Sequence, residues 1–459
     1  MSNAIKYCSV CSELSSLRCS RCLGAQYCSV DCQKKDWKTH KVLCKVAEGM
    51  KASYQEDLGI RSSDEVDATL QILMNKAEAG HPQSQYNLAN AYRTGMGVPL
   101  NLVKAHHFFK KSAEGGIVMA YHALGNCYFN GEGVSVDLEQ GFLCFMKGAE
   151  EGNGSCMASV GCSYAQGAGV TLNHAEAIKW WKKAAKLNNS TAQYNLGCAY
   201  DAGEGVAINK SEAIKFFKLA VENKNVDAIF NLGNAYRTGD GVRLNLRTAV
   251  ELYKQGSDLG DTKSLNALGV CYQQGVGVEV DQIQALQFYK RAGELGNADS
   301  QFYTATIYHF GKGVPVDKSL ALKWYKRSAA QGNLQALSNL GAIYSVGDGV
   351  PQDSCEAKRF WTIAAEAGVE DAQVNLGGLY ENGADGVPRN LALCLKWYRK
   401  AAQQGNLAES LYRFGCALCS NGNPEDREGL SYIKRAAERG LPEAIRTLRG
   451  YNAVLRQFE

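Results

Sequence analysis

The chain has 459 residues, 17 of them cysteine, and a formal net charge of +4. It is too long for a single compact core and too evenly charged to mark a nucleic-acid-binding protein. It has no apolar run long enough to span a membrane, and its first residues lack the basic-then-apolar pattern of a secretory signal.

Eight zinc-type ligands crowd the start: Cys8, Cys11, Cys19, Cys22, Cys28, Cys32, His40 and Cys44. Eight soft ligands make two tetrahedral sites, with no open position for a catalytic water. Each C-x2-C step is a tight turn that brings two sulfurs to one metal. The pairs Cys28/Cys32 and His40/Cys44 are spaced i, i+4, so each shares one face of a helical turn. Spacing alone allows sequential or interleaved sharing of the two metals. A segment this short cannot bury a core, so zinc must supply much of its folding energy. Lys34, Lys35, Lys38 and Lys41 read as a solvated helix face.

The string from Tyr27 to Cys44 resembles the MYND finger, including Gln33 and the Asp36-Trp37 step before His40. The resemblance implies a cross-braced, two-zinc fold. Cys8, Cys11, Cys28 and Cys32 would hold one ion, and Cys19, Cys22, His40 and Cys44 the other. It also implies a protein-binding module for short proline-containing peptides. Gln26, Tyr27, Gln33 and Trp37 would form the groove, with Trp37 stacking a proline.

Residues 1–48 therefore read as the finger, and 49–63 as a polar linker. Residues 64–80 look like an unpaired capping helix ending in Ala77-Glu78-Ala79-Gly80. From 81 to 440 the chain repeats with a period of 36. Tyr92, Tyr128, Tyr164, Tyr200, Tyr236, Tyr272, Tyr308 and Tyr344 keep that spacing, and Tyr380 continues it. So do Gly97, Gly133, Gly169, Gly205, Gly241, Gly277, Gly313 and Gly349, each inside a G-x-G-V step.

Each unit predicts two helices. Helix A carries A-x-x-x-L-G-x-x-Y, as in Ala120, Leu124, Gly125 and Tyr128. The glycine step breaks the chain. Helix B then carries two adjacent large residues, as in Trp180/Trp181 and Phe216/Phe217. Neighbouring helix positions differ by about 100°, so one ring can face helix A while the other faces an adjacent repeat. The ninth unit has one extra residue between Gly383 and Gly386, and a tenth loses the glycine step. Residues 441–459 predict a closing helix.

This pattern resembles the Sel1-like repeat, a relative of the tetratricopeptide repeat. The resemblance implies an all-α, right-handed α/α solenoid of ten units. Such stacks bind partners along the concave side, lined by helix A. Asn87, Asn195, Asn231, Asn339 and Asn375 share one helix-A column. Their amides could hold a peptide backbone or bridge helices within the stack.

Ten cysteines lie in the repeats without a recurring pair, which points to a reducing compartment, nucleus or cytosol. The chain shows no P-loop and no nucleophile elbow, and its G-x-G-V steps join helix to helix rather than strand to helix. The expectation is a non-enzymatic adaptor. It would bind zinc and proteins, with no small-molecule substrate. The alternatives are a nuclear transcriptional co-regulator, or a cofactor of a chaperone or ubiquitin-ligase complex.

Zinc chelation should unfold the finger and leave the repeats helical. Circular dichroism during titration with a chelator tests this: nearly all the helical signal should survive. One transition that melts the whole chain would refute the two-module organisation.

Overall fold

The computed structural model describes residues 17–18, 26–27, 63–420 and 427–455. Two short strands, β1 (Leu17–Arg18) and β2 (Gln26–Tyr27), pair antiparallel, with Leu17 opposite Tyr27 and Arg18 opposite Gln26. The rest of the described chain is helical. It divides into two compact units, residues 1–189 and 190–459.

In the first unit, a helix at Ser63–Glu78 precedes three helix pairs. Helix A of these repeats begins at Pro82, Val118 and Gly154, and helix B at Leu102, Leu138 and His174. In the second unit, helix A of repeats four to nine begins at Ser190, Val226, Thr262, Ala298, Leu334 and Glu370. Helix B begins at Lys210, Leu246, Gln282, Lys318, Ser354 and Leu391. A further pair, Ala408–Ser420 and Arg427–Glu438, and a helix at Pro442–Leu455 complete it.

Local chemistry sets the 13-residue helices. Helix B starts under an Asn or Asp cap in each of the nine repeats; Asn245, for example, accepts from the Thr248 N–H at 3.1 Å. The N–H of the same residue closes the turn by donating to the Tyr236 carbonyl at 2.8 Å. Helix A ends on a left-handed glycine such as Gly239 (φ 78°), which returns its N–H to the Ala235 carbonyl.

The two helices of a repeat meet glycine against ring. Gly233 lies beneath Tyr253, so a β-carbon there would stand 2.6 Å from Tyr253 Cε1. Gly125, Gly161, Gly197, Gly269, Gly341 and Gly377 sit equally close under Phe145, Trp181, Phe217, Tyr289, Trp361 and Tyr398. These rings are buried, Tyr253 and Tyr289 completely. The preceding member of each pair also turns to its own helix A. Phe216 stacks on Tyr200 at 5.7 Å, and Phe288 on Tyr272 at 5.5 Å. It reaches the neighbouring repeat as well: a β-carbon on Gly293 would lie 3.1 Å from Trp324. The expected division of the two rings is therefore incomplete. A flat ring spans more than one helix-facing direction, so the first ring serves both partners.

Between repeats, buried glutamines satisfy the carbonyls that end helix B. Gln301 donates to Gly293 O at 2.8 Å and accepts from Gln331; Gln373 donates to Ala365 O at 3.0 Å and accepts from Gln404. In the first unit, Gln85 does the same for Ala77 O, which fastens the Ser63–Glu78 helix to repeat one. At the far end of the second unit, Ala444 and Leu448 of the last helix pack on Leu411, Phe414 and Ile433.

The extra residue of repeat nine is confined to its turn. Ala384 and Val387 exchange two backbone hydrogen bonds of 2.8 Å, and Asn390 N–H still reaches the Tyr380 carbonyl. Tyr398 then lands on Gly377, as the equivalent rings land on glycine in six other repeats.

Gly233→Ala should destabilise the second unit by about 1–2 kcal/mol. Overpacking costs about 1–3 kcal/mol, against a helix-propensity gain of at most about 1. A denaturant melt followed by circular dichroism reads the difference. An unchanged or raised midpoint would show that the ring simply moves aside.

Candidate protein-interaction surface

In the finger, Gln26 and Tyr27 occupy β2. Among the described residues no third strand pairs with it. Cys8, Cys11, Cys19, Cys22, Cys28, Cys32, Gln33, Trp37, His40 and Cys44 lie outside the described residues.

The helix-A asparagines take different roles. Asn231 donates to the Tyr194 hydroxyl of the preceding helix A at 3.3 Å. Asn339 donates to the Tyr325 hydroxyl of the preceding helix B at 3.4 Å. Asn87 accepts from Gln83 one turn earlier, at 3.2 Å. These three and Asn195 are half-buried. Asn375 is exposed and lines a cavity of about 330 Å³ with Asp371, Asn382, Tyr398, Leu407 and Arg413. The column thus mixes ties within the stack with one amide presented to solvent.

Apart from Tyr398, a member of the helix-B ring column, the cavity floor is held by groups outside the repeat pattern. The Tyr398 hydroxyl donates to Glu381 at 2.8 Å; burial pushes this phenol above its ordinary range, and the Glu381 carboxylate adds to the shift. Arg413 pairs with Glu409 at 2.7 Å. Glu370 is only 8% exposed, and its Oε1 accepts from the Leu407 N–H at 3.0 Å and the Ser410 hydroxyl at 2.6 Å. It caps the Ala408–Ser420 helix from a whole repeat away. Its column elsewhere holds Thr262, Ala298 and Leu334, so the departure was visible in the repeats themselves.

Charged struts join repeats along the turns. Lys210 reaches Asp201 at 2.8 Å and Asp240 of the next repeat at 2.9 Å. The equivalent Asp348 is held by Lys318 and by His309, which together keep its carboxyl below the usual carboxylate range. The ten repeat cysteines stand as thiols. Burial pushes Cys127 and Cys144 up to about 11, and Cys156 up to about 12, so these are packing groups rather than nucleophiles. No group of three or more His, Cys, Asp or Glu side chains is placed to hold a metal among the described residues.

Stacked helix pairs with a glycine turn, buried rings and inter-repeat polar ties define an α/α repeat protein. The chain belongs to the Sel1 repeat family: the model of that repeat matches nine consecutive segments from residue 82 to 406. The MYND finger model matches residues 8–44. A crystal structure of a protective antigen present in uropathogenic Escherichia coli strains, displaying an SLR fold, is 31% identical with a TM-score of 0.64. That likeness covers 82% of this chain and 80% of the antigen. Curated relatives match a short segment only. Tudor domain-containing protein 1 of Oryzias latipes is 42% identical over 57 residues, 11% of this chain and 5% of that protein. Human histone-lysine N-methyltransferase SMYD3 is 49% identical over 41 residues, 9% of this chain and 10% of that protein. The chain thus spans a small fraction of these relatives' length. MYND fingers bind zinc, and both modules are non-catalytic protein-interaction modules.

Glu370→Ala should strand the Leu407 N–H, while the Ser410 hydroxyl keeps the Leu407 carbonyl 2.7 Å away, at a cost of about 1–3 kcal/mol. Hydrogen exchange should quicken in Ala408–Ser420 and stay unchanged in repeats four to seven. Uniform quickening across the second unit would contradict a local capping role.

Proposed function

We propose that the chain is a non-enzymatic scaffold that brings two proteins together. The finger, residues 1–48, takes a proline-containing peptide, and the repeat array, residues 81–440 between caps at 64–80 and 441–459, holds a second partner. Two zinc ions complete the finger, one on Cys8, Cys11, Cys28 and Cys32, the other on Cys19, Cys22, His40 and Cys44. The carrying observation is that likeness to a Tudor domain-containing protein and to a histone-lysine methyltransferase is confined to a few dozen residues, about the length that the MYND finger model matches. A module attached to such unlike proteins supplies recruitment rather than chemistry. The outer edge of β2 suits an extended peptide, which would add as a strand while Trp37 and Gln33 receive its side chains. On the repeats, the exposed Asn375 amide and the cavity beside it suit a main-chain segment, since one amide can both donate and accept. The repeat thiols fit a cytoplasmic or nuclear setting.

Affinity capture with the intact chain and with Trp37→Ala, followed by mass spectrometry, tests the finger's role. Partners sharing a proline motif should disappear with the variant, while its zinc content stays at that of the parent chain. Identical capture by both proteins would remove the finger from partner selection.

A further inference from the structure

At the A–B turn of each repeat in the second unit up to repeat seven, one aliphatic side chain stands in water. Ile208, Leu244, Val280 and Val316 fill this column, each 55–64% exposed. Part of the reason is local: the side chain folds over the glycine that ends helix A. A β-carbon on Gly239 would lie 3.4 Å from Leu244 Cβ. More than half of each side chain is left uncovered all the same.

Around Leu244 the turn changes character. Arg243 stands where neighbouring repeats have Ala207, Glu279 and Pro315, and Arg247 where they have Ser211, Ile283 and Ser319. Both arginines are exposed, and neither forms an ion pair among the described residues. Two open grooves meet at Leu244 and Asn245. One, of about 670 Å³, runs between Arg247 and the Gly275–Glu279 turn. The other, of about 510 Å³, runs against Lys218, Tyr236 and Arg243. The walls carry three cations, Lys218, Arg243 and Arg247, against the single carboxylate of Glu279. Nearby Asp240 is already engaged by Lys210.

The geometry points to a docking site on this turn edge for an acidic peptide with an aliphatic anchor. The anchor seats beside Leu244, and flanking carboxylates pair with Arg243 and Arg247. Guanidinium forks match carboxylates bidentately, and both are unspent here. A nucleic acid is disfavoured, because bases need an open ring to stack on, and Tyr236 is half-buried with the Lys218 ammonium 6.0 Å above it. The site deepens the scaffold reading and rests on it, but it places a partner on the turn edge rather than on the helix-A face.

The test uses the full chain and a fluorescein-labelled peptide in which a leucine pair is flanked by aspartates and glutamates. Its counterpart carries asparagine and glutamine instead. The acidic peptide should bind about tenfold or more tightly than the amide one, and weaken as salt is raised. The double variant Arg243→Glu/Arg247→Glu should lose that preference with helicity and melting unchanged. Leu244→Asn should weaken both peptides. Equal binding of the two peptides, or acidic-peptide binding that survives the double variant, overturns the site. An oligonucleotide that binds more tightly than the acidic peptide with the same arginine dependence also overturns it. Failure of these tests alongside persistent partner capture by the intact chain would sink this site alone. Absence of any repeat-dependent capture would sink the scaffold reading itself.

Discussion

The array depends on a small residue of helix A, glycine in seven of the nine repeats and alanine in two, lying flat beneath a ring of helix B. The missing β-carbon lets the backbone of one helix approach the ring face of the other, and that approach sets how closely each pair packs. Ala89 and Ala305 hold the same column above Phe109 and Tyr325, so a methyl is the largest group the column carries in the described repeats. Once the pair is set, the rest follows from short-range chemistry. The helix-A Tyr carbonyl receives the cap residue's N–H, the cap starts helix B, and the next repeat begins in register.

Polar groups then join one repeat to the next. Gln301 and Gln373 are buried yet satisfied, each using its amide to close a helix end that apolar packing would leave orphaned. Asn231 and Asn339 spend theirs on tyrosine hydroxyls. Repeats joined this way contribute nearest-neighbour terms, so local breakage need not propagate. Glu370 is the extreme case: one carboxylate stitches the ninth repeat to the helices beyond it.

The repeat architecture was legible because period, glycine steps and ring columns are strict patterns, and a strict pattern has few packing solutions. The helix-A asparagine column was not legible in the same way. An amide that bridges helices and one that faces solvent are the same residue at the same spacing; only the geometry around Asn231 and Asn375 separates them. Glutamines such as Gln85, Gln193, Gln301 and Gln373 also fall on multiples of the period, but a polar residue in a column reads as solvated until burial is known. Glu370 and Arg243 could be found only as departures from their own repeats. For the finger, the ligand set is an expectation from spacing and its pairing one from the family resemblance, and both lie outside the described residues.

The ninth repeat absorbs its additional residue in a small bridge between Ala384 and Val387, and the next ring still finds its glycine. Helix phase is therefore insulated from turn length. The A–B turn is a place where sequence can be lengthened by a residue without a shift reaching the helix pair it joins. A repeat protein built this way can acquire a new binding preference one turn at a time, and an engineer could graft a loop there with the same immunity.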